Sequence, residues 1–94
     1  MRIVVRNEEL RLLEDMIKRG YTVGEGNQLR RIVRELNRAN APVVHGYSQR
    51  ARKVIVALER PLEIVERRKR GLFESEVKIN FSLKGVQQRV NQRR

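Results

Sequence analysis

Arginine is the residue in this chain best equipped for chemistry, and it comes in clusters. Seventeen of the 22 cations are arginine, whose planar fork matches a phosphate or carboxylate with two parallel hydrogen bonds. Arg30, Arg31, Arg34 and Arg38 are spaced to form a ridge along one side of a helix. Arg50, Arg52 and Lys53 make a second cluster, and Arg67, Arg68, Lys69 and Arg70 an unbroken third. Arg2 and Arg6 bracket a short apolar segment. Residues 1–26 hold five cations and five acids, so the net charge of +11 arises wholly from residues 27–94. A single charge run usually means a solvated face, but several clusters with so few acids exceed what solubility requires. They predict contact with a polyanion, and nucleic acid is the commonest one. Even six phosphate contacts would cost roughly three orders of magnitude in affinity between low and moderate salt.

Covalent and acid–base chemistry have little to work with. The only histidine, His45, sits between Val44 and Gly46 and is better explained by a structural or loop role than as a general base. No Ser-His-Asp set, metal-ligand cluster or lysine-bearing phosphate loop is legible. Glu8, Glu9, Glu14 and Asp15 suit a helix dipole and a solvated surface. A metal-independent nuclease using Glu and Arg ranks last among the readings. The chain is read as a non-enzyme with no cofactor, no metal and no small-molecule substrate.

Ninety-four residues that are 39% hydrophobic support one small domain with a modest core. Absence of cysteine removes disulfides and thiolate sites and suits a reducing compartment. The opening MRIVVRNEEL passes straight from a short apolar run to acids, unlike a signal or transit peptide. Apolar runs such as Val54–Leu58 are too short to span a bilayer. These features predict a soluble cytoplasmic protein, free or associated with the nucleoid, with no membrane partner.

The clusters need elements to position them. Alternation in Arg2–Arg6 predicts a strand with Ile3 and Val5 on one face and Arg2, Val4 and Arg6 on the other. Asn7 is a candidate cap for a helix over 8–19, with Leu10, Leu13, Met16 and Ile17 as its apolar stripe and Gly20 as its stop. Tyr21–Gly26 reads as a glycine-bearing connection. Asn27 then caps a second helix with Leu29, Ile32, Val33 and Leu36 on its buried side, in which Glu35 pairs with Arg31; it ends near Asn40, before Pro42. Val43–Leu58 is favoured as a hairpin whose loop, Gly46–Arg52, carries Arg50 and Arg52, since Val54, Ile55 and Val56 are β-branched in succession. The competing reading is a helix from Ser48 with Ala51, Ile55, Leu58 and Leu62 on one side, against which Pro61 argues. Pro61 fits the first turn of a third helix that ends in Arg67–Arg70 and stops at Gly71. Val77, Ile79, Phe81 and Leu83 alternate with polar residues as a half-buried strand. Residues 85–94 lack both core pattern and acids and read as a flexible basic tail. The expected fold is α+β: strand, helix, helix, hairpin, helix, strand over 1–84, with the tail at 85–94.

RIVVRNEELRLLEDMIKRGYT followed by NQLRRIVREL resembles the ribbon-helix-helix family of DNA-binding proteins. That resemblance implies a dimer whose paired strands enter the major groove. Arg2, Val4 and Arg6 would then face base edges, and the Asn27 end of the second helix would meet a phosphate. The turn YTVGEGN is longer than the family's connection, and Glu25 places an acid near the implied phosphate. VGEGNQLRRI resembles the glycine loop of type I KH domains, which bind single-stranded RNA or DNA, but lacks their second glycine. EIVERRKRGLFESEVKINFS is similar to the end of the second helix and following strand of the small basic Alba chromatin proteins. Aromatic residues are few (Tyr21, Tyr47, Phe73 and Phe81), which favours backbone-dominated binding of duplex DNA over a stacking platform. The leading expectation is a regulatory or architectural DNA-binding homodimer; an RNA- or single-strand-binding module, or an adaptor subunit of a larger assembly, are the alternatives.

Overall fold

A computed structural model of the protein describes residues 1–82. Strand β1 (Arg2–Arg6) leads into helix α1 (Asn7–Arg19), strand β2 (Tyr21–Gly24) and helix α2 (Gly26–Arg38). Four strands follow: β3 (Val43–Ser48), β4 (Lys53–Leu58), β5 (Leu62–Arg70) and β6 (Glu74–Phe81). They form two three-stranded antiparallel sheets, ordered β1-β6-β5 and β2-β4-β3, so the chain is mixed α+β.

Each sheet turns one face to the helices, and both helices touch strands of both sheets. Leu13 and Met16 of α1 and Leu29, Ile32 and Leu36 of α2 meet Ile3, Val5, Val56, Leu62, Val77 and Ile79 in one core. The helical spacing and strand alternation read from the sequence are the spacings that deliver these residues to a common interior. Among the described residues every buried side-chain polar atom has a partner.

The two helix entries differ in detail from expectation. Arg6, not Asn7, is the residue before α1, and its backbone N–H donates to the Glu9 carboxylate at 2.7 Å. Glu25, not Asn27, precedes α2, and its N–H donates to the Gln28 side chain at 3.1 Å. Asn27 lies exposed in the first turn of α2. Gly20 ends α1 with φ at +89° and donates to the Met16 carbonyl, the left-handed stop that its position suggested. Tyr21–Gly24 is a strand rather than a connection, alternating buried Thr22 and Gly24 with exposed Tyr21 and Val23.

Two further corrections are larger. The hairpin over Val43–Leu58 is present, with six residues in each strand and a turn confined to 49–52, so the helix from Ser48 is ruled out. The third helix is absent: Leu62–Arg70 is strand β5, and Arg67, Arg68, Lys69 and Arg70 lie along it rather than at a helix end. A helix would have placed Glu63 one turn from Arg67 and Glu66 one turn from Arg70, so charge along the segment does not by itself disfavour it. The strand sends the cations to alternate faces and sets Arg68 opposite Glu76 and Arg70 opposite Glu74 on β6. Pro61 sits just before the strand, where it costs no ladder bond, and its carbonyl accepts the Ser82 N–H. Gly71, with φ at +81°, serves the β5–β6 turn instead of a helix terminus. The Alba-like segment is therefore a hairpin. The helix that a type I KH domain carries after its strand pair is likewise replaced here by β5. Leu83 and the proposed tail at 85–94 lie outside the described residues.

An ion pair within the last turns of α1 is tied to β2 by a side-chain hydrogen bond. Arg19 Nε donates to Asp15 Oδ1 at 2.8 Å, and the Thr22 hydroxyl donates to Asp15 Oδ2 at 2.7 Å. Both bonds favour the carboxylate and hold Asp15 below its ordinary range, the Arg19 bond contributing most. A depressed folded-state value stabilises the fold above the unfolded value and is lost as pH falls through the folded one. Following the Asp15 carboxyl by NMR should place its midpoint below that of a free aspartate, and Thr22→Val should raise it. A midpoint unchanged by Thr22→Val would contradict this geometry.

Candidate nucleic-acid interface

The registers bring scattered segments to one end of the molecule. The Asn7 N–H donates to the Phe73 carbonyl at 3.1 Å, so α1 begins beside the β5–β6 turn. The chain runs away along α1, returns along β2, and starts α2 at Gly26, against Val54 at the head of β4. The β3–β4 turn lies just beyond Val54. Arg31 of α2 approaches both Glu9 and Glu74 at 3.8 Å, which ties α2 to the base of the β5–β6 turn. Both hairpin turns and the starts of both helices thus share this end. At the opposite end, the Leu58 N–H meets the Gly20 carbonyl and the Ile79 N–H meets the Met1 carbonyl.

The candidate cations divide by position into two groups. Five carry carboxylate partners: Arg2 with Glu76 at 3.0 Å, Arg31 with Glu9 and Glu74, Arg38 with Glu35 at 3.3 Å, Arg67 with Glu14 at 3.2 Å, and Arg68 with Glu66 at 3.6 Å. The anticipated Arg31–Glu35 pair does not form, because Glu35 instead accepts the Val4 N–H at 3.1 Å and holds Arg38. Eight have no carboxylate within salt-bridge distance among the described residues: Arg6, Arg30, Arg34, Arg50, Arg52, Lys53, Lys69 and Arg70. All but Arg34, one helical turn further along α2, belong to the shared end, and all are exposed. Glu8, Glu25 and Glu74 are the acids there that reach solvent.

Two surface features accompany these cations. Between α2 and the β3–β4 hairpin is a cleft of about 250 Å³ with an apolar floor of Leu29, Val33, Val54 and Val56 and with Arg30 and His45 at its mouth. Cross-strand register puts His45 opposite Val56 and Tyr47 opposite Val54, so both rings point to that side. At the β5–β6 turn, Arg6, Glu8, Arg70, Gly71, Leu72, Phe73 and Glu74 border an open concavity of about 640 Å³. Leu72 is 79% and Phe73 74% exposed. Neither feature was read from the sequence. The signal available for the second was the pair of large apolar residues after Gly71, where turns are ordinarily polar.

The ribbon geometry meets a definite obstacle. Arg2, Val4 and Arg6 do point outward from the sheet, but β1 already pairs along its length with β6 of its own chain. On its other edge the Val4 N–H is held by Glu35. A ribbon shared between two chains would have to displace that carboxylate. No helix is long and apolar enough to cross a membrane, and no group of three or more His, Cys, Asp or Glu side chains is placed to hold a metal, both among the described residues. No protein-family model matches the chain, and no curated protein or solved structure is significantly similar to it.

Proposed function

We infer that the protein binds nucleic acid through the end that carries both hairpin turns, with duplex DNA as the favoured form. The observation that carries this reading is the clustering of unmatched cations. Arg6, Arg30, Arg50, Arg52, Lys53, Lys69 and Arg70 gather at this end without carboxylate partners among the described residues, whereas Arg11, Lys18, Arg34, Arg60 and Lys78 are unmatched but dispersed elsewhere and Arg2, Arg38, Arg67 and Arg68 are matched. Unmatched guanidinium groups repel one another, and a polyanion relieves that repulsion while releasing its own counterions. Duplex is favoured because two of the four aromatic rings are already occupied. The Arg19 guanidinium lies 4.5 Å from the Tyr21 ring centroid, and that of Arg60 lies 3.8 Å from the Phe81 centroid. That leaves only Tyr47 and Phe73 for stacking, too few for a strand of bases.

The cleft beneath Arg30 and His45 supports a second reading, in which a single unstacked base enters and the strand is RNA or single-stranded DNA. A salt series on duplex, single-stranded DNA and RNA of equal length decides between them. Log affinity for duplex should fall linearly with log salt with a slope of about −4 or steeper. A stronger affinity for single strands at every salt concentration would move the assignment to the cleft, and a slope near zero for all three would end the nucleic-acid reading. The reading includes a homodimer. The outer face of sheet β2-β4-β3, with Tyr21, Val23, Val44, Ile55 and Ala57, is the mostly apolar surface on which two chains would meet, with Arg19 and Lys53 at its margins. Light scattering that returned a monomer at every concentration would remove this part.

A further inference from the structure

We propose that Leu72 and Phe73 form a wedge that inserts between base pairs and kinks the duplex. The inference rests on the duplex-binding reading and adds to it a deformation of the DNA.

Two large apolar side chains at a hairpin tip cost solubility unless something covers them. Their exposure here is enforced rather than accidental. The Asn7 N–H holds the Phe73 carbonyl at 3.1 Å, and Asn7 Nδ2 holds the Leu72 carbonyl at 3.2 Å. Gly71 turns the chain with its positive φ. The tip is thereby fixed to the first turn of α1, and its side chains cannot fold back into the core without breaking both bonds. A wedge needs this rigidity, because unstacking a base step is unfavourable and a loose tip would yield instead of the DNA.

The surroundings match the same occupant. Arg6 on β1 and Lys69 and Arg70 on β5 flank the tip without carboxylate partners, where they can bind phosphates on either side of an inserted side chain. A two-stranded ribbon is narrow enough to enter a groove with its tip leading. A flat anionic lipid surface would instead press against the whole end, including Glu8, Glu25 and Glu74, whereas a groove takes the tip alone.

The test uses the full chain and its Leu72→Ala/Phe73→Ala variant, whose fold should be unaffected because both side chains lie outside the core. Binding is read by anisotropy on a labelled duplex, bending by energy transfer between its two ends, and unstacking by 2-aminopurine fluorescence within the site. The wild type should bind, introduce a bend in the range of about 20–90° and raise the 2-aminopurine signal. The variant should keep the salt slope and lose both the bend and the fluorescence rise, with affinity reduced less than about tenfold. Binding by the wild type without bend or unstacking overturns the wedge and leaves the duplex reading standing. An equal bend from the variant also overturns the wedge. Failure of the wild type to bind duplex at any salt overturns both. Phosphatidylserine vesicles serve as the competing surface: sedimentation with them that depends on Leu72 and Phe73, without DNA bending, would assign the tip to lipid and reject the wedge.

Discussion

Replacing Arg50, Arg52 and Lys53 together by glutamine should flatten the salt dependence of duplex binding by about 3 in the log–log slope, since each phosphate contact contributes roughly 0.9. At about 0.1 M salt the same contacts correspond to a loss of two to three orders of magnitude in affinity as an upper estimate. The control is Arg2→Gln/Arg38→Gln, which removes the same kind of charge from cations that already have carboxylate partners far from the hairpin turns. That pair should leave the slope within about one unit of the wild type. Equal effects from the two variants would mean that binding responds only to net charge, and the proposed end would have no special role. The comparison is clean because neither set touches the core: every substituted side chain is exposed.

The second large effect concerns the scaffold. Ile32 is fully buried on α2, a helix that touches β1 of one sheet and β3 and β4 of the other. Ile32→Ala removes three carbons where helix and strands converge, at a cost of about 2–5 kcal/mol. Total stability for a domain of this size is of order 5–15 kcal/mol. The melting temperature should fall by at least about 8 °C. Because both helices join both sheets, the loss should appear as a single transition monitored by helix and strand signals alike. Two separated transitions would mean that the sheets unfold independently.

Most of the core was legible because it follows period. Ile3 and Val5, Leu13 and Met16, Leu29, Ile32 and Leu36, and Val77 and Ile79 recur at strand or helix spacing, and each is buried. The β3–β4 hairpin was also legible from its β-branched run. What failed was Leu62–Arg70. Proline before an apolar group, acids early, cations late and a glycine stop are the marks of a helix, and each has a second use in a hairpin. The deciding information was nonlocal, namely the alternating strand β6, against which Leu62–Arg70 pairs along its length. The candidate site was legible in kind and not in arrangement. Residue types announced the cations, but only the fold distinguishes Arg30 from Arg31, neighbours in sequence of which one is free and the other faces Glu9 and Glu74. Leu72 and Phe73 had no periodic partner to mark them.

The uneven pairing of charge has a consequence for how the molecule moves as well as for where it binds. A body with seven of its unneutralised cations gathered at one pole carries a charge distribution biased toward that pole. In the field of a polyanion such a body experiences a torque as well as an attraction, so it turns that pole forward before contact. Encounters then begin with the hairpin tips leading, and orientation ceases to be the slow part of capture.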